Sequence, residues 1–407
     1  MTEVVVLGVG MHRFGKFPAL AIQDLAREAI WQAIGDAGID PRVIQIAYVA
    51  NCYNGFFTGQ LDAVAPIAVK YSGLTGIPLI HVMGGSGSGS VAFHDAVLAV
   101  ASGQYEVALA LGVEKLYVVG DPARSISAIQ TSGEQSVATE LGMTWIGDLT
   151  ISARRLMHRY GWTQEDFALV ASKNRQNGAL NPLAELQEPI TAEEVLAARV
   201  VAYPLTRPMC SSAAVDGAAA AIVCSREAAG RLLRTAAGPL VRAAGLSLAG
   251  ARYVSNRTED TRPGMLSMNE APVAFAAAYK QAGLGPRDVE LAFVHDAIAP
   301  EELLSYQVLG LCEPGEEAAL LRSGATRLDG RVPVNTDGGL IARGHPIAAT
   351  AFGQIYEAVV QLRGRAGARQ AYPSNGRPPR VAALQNAGAQ GGPGGGVAVS
   401  SALLLTT

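Results

Sequence analysis

The chain predicts an α/β fold assembled from two similar halves, and three observations carry that expectation. Short β-branched runs alternate with amphipathic helical stretches along its 407 residues. One grammar, a strand running into a Gly-rich turn and then a long helix, occurs once in each half. The composition is that of a well-buried body, with 49% hydrophobic and 16% charged residues and a mean hydropathy of +0.21. Such alternation implies a largely parallel sheet covered by helices.

In chain order, strands are expected at 4–10 (VVVLGVG), 46–52 (IAYVANC), 78–83 (PLIHVM), 107–113 (VALALGV) and 219–225 (AAAIVCS). Between the first two, Ile22, Leu25, Ala29, Ile30, Ala33 and Ile34 repeat at helical spacing until Gly35 and Gly38 end the pattern. Val91, His94, Val97, Leu98 and Ala101 do the same before Gly103. The second half reads as strands at 240–248, 291–297, 332–339, 381–388 and 396–405, with a helix marked by Phe352, Ile355, Val359 and Leu362. Residues about 118–215 hold polar, irregular stretches and one helical pattern, DLTISARRLMHRYG, and read as a long excursion that covers or builds a site. The expected division is 1–235 and 236–407, with that excursion inside the first half.

Composition also excludes function classes. A formal net charge of −3 with scattered basic residues leaves no electrostatic footprint for nucleic acid. Cys52, Cys210, Cys224 and Cys312 form no CxxC pair and no His/Cys cluster at metal spacing. The N-terminus lacks a basic leader and no apolar run is long enough for a membrane span, so a cytoplasmic chain with free thiols is expected.

The stretch GGSGSGS at 84–90 is the least ordinary feature. A flexible linker would separate domains, whereas this run lies between a strand and a helix. A dinucleotide loop needs GxGxxG, and GVGMHRFG carries Arg13 in place of the third glycine of a frame begun at Gly8 and Gly10. No frame around Ser86 or Ser88 satisfies GxSxG. What remains is a strand-to-helix junction with little side-chain bulk, where a ligand can approach the backbone and a helix N-terminus stabilises negative charge.

Several longer phrases resemble those of the thiolase superfamily, in its sterol-carrier-protein-type branch. They are AVASGQYEVALALGVEK (99–115), LVASKNRQNGALNP (169–182), VDGAAAAIV (215–223), VHDAIAPEELLSYQVLGLCEPGE (294–316) and VNTDGGLIARGHPIAATAFGQIYEAVVQLRG (334–364). The resemblance covers essentially the whole chain, and the last phrase is the most specific. It implies a five-layered α/β/α/β/α body of two similar halves with an inserted loop domain, and acyl transfer on coenzyme A thioesters. In the family a cysteine at the start of the first-half helix is acylated, and a second nucleophile then takes the acyl group. The reaction is cleavage of a β-ketoacyl-CoA by CoA, or the reverse Claisen condensation.

Carried onto this chain, the resemblance places the nucleophile position on Ser86, the activating histidine on His345 of the GHP motif, and an oxyanion-hole histidine on His295 of VHDA. The sequence departs from the family at both thiols. Serine stands at 86, as the natural residue or as an introduced one, and the usual second cysteine is absent from both Ala297 and the QNAGAQGG stretch. A serine activated by histidine can form an acyl-enzyme, and Asn386 offers an amide to a developing oxyanion. The plainer readings are a small residue in a tight turn and two satisfied core histidines. Cys52 and Tyr53 end a strand on the ligand side, with Tyr53 facing an acyl pocket, whereas Cys210 reads as a buried structural thiol.

The resemblance further implies no tightly bound cofactor, coenzyme A as co-substrate, a homodimer paired through the strand VALALGV, and a separate small zinc-ribbon and OB-fold partner for relatives acting on bulky or aromatic acyl groups. Lys173, Arg175, Arg207 and Arg343 are the candidate cations for the phosphates of CoA. Two other functions stay open: an aldol lyase on a β-hydroxyacyl-CoA, favoured by the missing thiols and disfavoured by the two histidines, and a non-catalytic acyl-CoA-binding subunit.

Overall fold

The computed structural model describes residues 2–132, 136, 140–212, 214–233, 239–250, 270–373, 376–390 and 397–407. The expected boundary at 235/236, Gly396 of the last expected strand and the end of QNAGAQGG lie outside them. The main strands are β1 (Val4–Met11), β2 (Ile46–Ala50), β3 (Leu79–Val82) and β4 (Val107–Lys115), then, after a small β5 (Val200–Ala202) and β6 (Leu205–Thr206) ribbon, β7 (Asp216–Ser225), β8 (Val241–Ala249), β9 (Leu291–Phe293), β10 (Val381–Gln390) and β11 (Val397–Thr406). Nine of them form one sheet in the order β3-β2-β4-β7-β1-β8-β11-β10-β9. Strands from before Ser225 occupy one side and strands from after Val241 the other, joined where β1 meets β8 through two residue pairs.

Three apolar clusters give the layering. One fills the outer face of the first side, beneath the helix Ile22–Ala37. That helix is started by Asp24, whose carboxylate accepts the Ala21 N–H at 3.0 Å, and is ended by Gly38 at φ +64. Gly8 and Gly10 of β1 let it lie close, because a Cβ there would sit 2.3 Å from Ala33 O and 2.2 Å from Ala29 O. The GVG motif is thus a helix-packing device. A second cluster places the helices Ser88–Ala101 and Thr350–Leu362 between the two sides of the sheet, with Phe93 and Phe352 edge to face at 6.4 Å. The third lies outside the second side, under the helices Ala271–Ala282 and Ala299–Val308. Helix, first side of the sheet, helix, second side of the sheet, helix is the five-layered order expected.

The excursion between β4 and β7 carries the helices Trp145–Tyr160 and Gln164–Ala179 and packs against the third cluster through Leu149, Phe167 and Val170. Its Asn177 and Asn181 side chains donate to the backbone carbonyls of Asn335 and Asp337, so the first half grips the loop that leads to His345.

Three expectations are corrected. The sheet is mixed: β2 runs parallel to β3 and β4, and β9 to β10, while every other pair is antiparallel. The long excursion leaves β4 at Lys115 and returns at Asp216, the residue paired with it, so β7 runs back along β4. Residues 332–339 form no strand, apart from one bridge of Val334 to Ala292, because Asn335 adopts φ +53 and Gly338 φ +100 to turn the chain. Correspondingly β9 stops at Phe293: the next two amides donate to the Asn335 and Gln385 side chains instead of to a ladder. Finally, VALALGV cannot pair with a second copy, since β4 is bonded on both edges, to β2 and β7.

Candidate active site

Ser86 stands in the turn between β3 and the helix Ser88–Ala101, two residues ahead of the helix. Gly85 at φ +57 makes the turn, and Ser88 locks it by accepting the Gly84 N–H and donating to Gly85 O, both at 2.7 Å. Ser86 itself is half-buried. From the other half, Gly388 of β10 presses against it, and a Cβ there would lie 1.9 Å from Gly87 N and 2.6 Å from Ser86 N. Gly388→Ala is therefore expected to displace the turn, lowering stability by about 1–3 kcal/mol through overpacking. A thermal melt beside an acylation assay of residue 86 checks it.

His345 follows Gly344, at φ +100, and donates its backbone N–H to Ser212 O at 3.0 Å. Its Nε2 lies 3.3 Å from Ser86 Oγ, and its Nδ1 lies 2.6 Å from Thr350 Oγ1. Burial first, then His295 and Arg343, hold the ring's basicity well below that of an ordinary histidine, so it is neutral. When Nδ1–H is given to Thr350, Nε2 is free to accept the Ser86 hydroxyl proton. The hydroxyl precedes the helix Ser88–Ala101 and the imidazole precedes the helix Thr350–Leu362, the two helices that pack between the sides of the sheet.

His295 packs edge to face on His345, ring centroids 5.2 Å apart. Burial, with a smaller contribution from Arg343, pushes its pKa down to about 4. The Asn386 amide donates to His295 Nδ1 at 3.3 Å, which puts the imidazole proton on Nε2, where it can be offered to a carbonyl oxygen. Asn386, 2% exposed, thus directs its amide at the histidine, and its Oδ1 meets no partner among the described residues. Asp296 accepts the Leu340 and Ile341 amides and the Asn174 side chain, and so anchors the turn before His345.

The four candidate cations divide. Arg343 is 1% exposed and paired with Asp337, and its guanidinium also donates to Thr350 O. Lys173, 7% exposed, is held by Asn174, Val334 O and Glu302. Both are buried and paired with acids inside the fold, which removes them from contact with a phosphate. Arg207 is exposed and donates to Cys210 O and Ser211 O, one residue from the carbonyl that fixes His345. Arg175 is half-buried and donates to Glu188 O at 2.5 Å. Cys52 Sγ touches Ser88 Oγ and Gly85 O at 3.0 Å, and burial raises its thiol far above the usual range. Burial likewise lifts Cys210 to about 11. Sequence reasoning missed Thr350 and Gly388. The first is an ordinary helix-start threonine, and the second sits in a Gly-rich stretch whose proximity to Ser86 no local pattern records.

A hydroxyl facing a neutral histidine, with a second histidine across the gap, defines a nucleophile-and-base site suited to acyl transfer. Comparison with known proteins agrees. The model for "Thiolase, N-terminal domain" matches residues 4–227 and that for "Thiolase C-terminal domain-like" matches residues 251–392. An acetyl-CoA acetyltransferase of Methanothermobacter thermautotrophicus is 36% identical over 91% of this chain and 93% of its own. The benzoylsuccinyl-CoA thiolase subunit BbsB of Thauera aromatica is 34% identical over 93% of each chain. Among solved structures, an Ltp2-ChsH2(DUF35) aldolase superposes with a TM-score of 0.80 at 26% identity, covering 100% of this chain and 98% of that one. The chain belongs to the thiolase family, and it is an acyltransferase-type enzyme of that family, in which coenzyme A is the co-substrate.

Proposed function

We propose that the chain transfers acyl groups between coenzyme A thioesters through Ser86. The observation that carries this reading is the 3.3 Å approach of His345 Nε2 to Ser86 Oγ. His345 takes the hydroxyl proton as Oγ attacks the thioester carbon, His295 Nε2–H donates to the carbonyl oxygen, and the departing CoA sulfur leaves with the proton held on His345. A second thiol or carbon nucleophile then removes the acyl group, giving β-ketoacyl-CoA cleavage or Claisen condensation. Arg207, with Arg175 near it, is the candidate for the CoA phosphates. A bulky or aromatic acyl group is supported by the benzoylsuccinyl-CoA relative.

A second reading is aldol cleavage of a β-hydroxyacyl-CoA. Two observations favour it: no thiol stands at either family position, and the superposed aldolase shares the whole fold. Incubation with a 3-ketoacyl-CoA plus CoA, beside a 3-hydroxyacyl-CoA, separates the two by product. Acyl transfer yields two acyl-CoAs from the first substrate, while brisk release of a carbonyl compound from the second alone overturns the first reading.

We infer a homodimer and a small partner chain. Among the described residues β3 is bonded only to β2, which leaves an open edge beside exposed Ile80, Met83 and Leu98. Pairing of two such edges extends the sheet across a two-fold axis. Sedimentation is expected to give twice the 42.2 kDa chain mass, and Ile80→Lys to shift the population toward monomer. A zinc-ribbon and OB-fold protein is the partner we propose; the support is that the superposed aldolase is a complex with a DUF35 chain. We place the boundary between the halves near 235/236, between the end of β7 at Ser225 and the start of β8 at Val241.

A further inference from the structure

Glu114 is a fully buried carboxylate near the end of β4, and the chemistry proposed above does not use it. Its Oε1 accepts from Asn51 Nδ2 at 2.9 Å and Tyr53 N at 3.0 Å, and its Oε2 from Cys52 N at 3.1 Å and Ala348 N at 3.2 Å. Those partners belong to two separate pieces of the site. Residues 51–53 reach the nucleophile turn, because the Cys52 thiol lies 3.0 Å from both Gly85 O and Ser88 Oγ, the two groups that shape the turn around Ser86. Ala348 lies in the short 3-10 turn Ile347–Ala349, between His345 and the Thr350 hydroxyl that orients its ring. A single carboxylate therefore joins the support of the nucleophile, from the first half, to the support of the base, from the second.

We propose that Glu114 is a positioning residue that keeps Ser86 and His345 in reacting register. This rests on the reading of those two residues as the reacting pair. All four partners are N–H donors, so only a side chain with acceptors on both oxygens satisfies them. Burial pushes the carboxyl up to about 7, so the four donors offset only part of the cost of burying it. An apolar side chain would fill the same space without that cost, but it would leave four amide donors unpaired and cut the link between the halves.

Glu114→Gln keeps the shape and turns an NH2 group against two N–H donors, which forces one side of the junction to move. Small displacements suffice, since misplacing reacting groups by about 1 Å slows chemistry by about 10²-fold. The test compares Ser86→Cys with Ser86→Cys/Glu114→Gln. Iodoacetamide labelling of residue 86 is followed by mass spectrometry, with Cys210 as internal reference and amide exchange read over 84–88 and 345–350. The expected result is labelling of residue 86 slowed about tenfold in the double variant, because His345 no longer favours its thiolate. Cys210 labelling stays unchanged and exchange rises at both segments. Glu114→Asp, which keeps the charge but reaches fewer donors, is expected to fall between the two, and it serves if the glutamine variant does not fold. Equal labelling rates at residue 86 with unchanged exchange overturn the inference. So does failure of both variants to fold, since the carboxylate would then hold the body together instead of the pair. If residue 86 in the single variant reacts no faster than Cys210, the reacting-pair reading fails by itself, and exchange over 345–350 still decides the role of Glu114.

Discussion

Ser86→Cys is expected to gain acyl transfer and to become the thiol that iodoacetamide labels first. An unperturbed thiol ionises near pH 8.5, and a nearby histidine lowers that further, whereas a serine hydroxyl needs its proton removed during attack. His345 Nε2 already stands 3.3 Å from the side-chain position, so the exchanged thiol meets its base without rearrangement. The competing thiols are poor rivals. Cys52 is raised far above neutrality by burial and by Glu114, and Cys210 is raised to about 11. The expected gain in acylation is on the order of 10²-fold, or about 2.7 kcal/mol in barrier. The unaltered chain should bind the acyl-CoA and turn over slowly by this route. No gain and no label at residue 86, together with rapid cleavage of a hydroxyacyl-CoA by the unaltered chain, would make the turn a ligand cradle and install the aldol reading.

The two histidines should fail differently. His345→Ala removes the only imidazole nitrogen within reach of Ser86 Oγ among the described residues, so acylation should vanish while binding of a CoA thioester persists. His295→Ala removes a donor to the carbonyl oxygen, a loss of about 2.7–4 kcal/mol, or roughly 10²–10³ in rate, with the nucleophile still acylated. Burst kinetics with a chromogenic thioester, beside calorimetric binding of CoA, separates the two. If both variants lose binding completely and equally, the rings are packing groups of the core, and the site must be sought elsewhere.

What could be read from the chain alone was local in origin. Ile22, Leu25, Ala29 and Ile30 mark a helix because apolar residues at that spacing share one face, and Phe352, Ile355 and Val359 mark another. The Gly/Ser run announces a tight strand-to-helix turn because its residues lack bulk. His345 was found by its resemblance to a family motif, and so was the position of Ser86. No periodicity in the chain could say that these two meet, since 259 residues separate them. The GVG motif was rejected as a dinucleotide loop, but its use was hidden for the same reason: two glycines report that something lies close, and only the packed helix shows that it is a carbonyl of Ala33 or Ala29.

Charge was the least legible property. Arg343 and Lys173 look like phosphate ligands in a string of letters, yet Asp337 and Glu302 neutralise them inside the body, and an arginine's partners depend on which distant acid the fold delivers. Asn386 was read as an amide for a developing oxyanion, and its contact with His295 follows from β10 lying parallel to β9. Strand direction was equally hidden, because alternation of strands and helices leaves open which end a 100-residue-scale excursion returns to. Composition and period thus determined that this chain folds as buried strands and amphipathic helices with a bare turn at Ser86. The tertiary structure decided which buried charges are spent on the fold, that Ser86 faces His345, and that Glu114 joins the two halves beneath them, because each of those depends on groups brought together only when the two sides of the sheet close over the central helices.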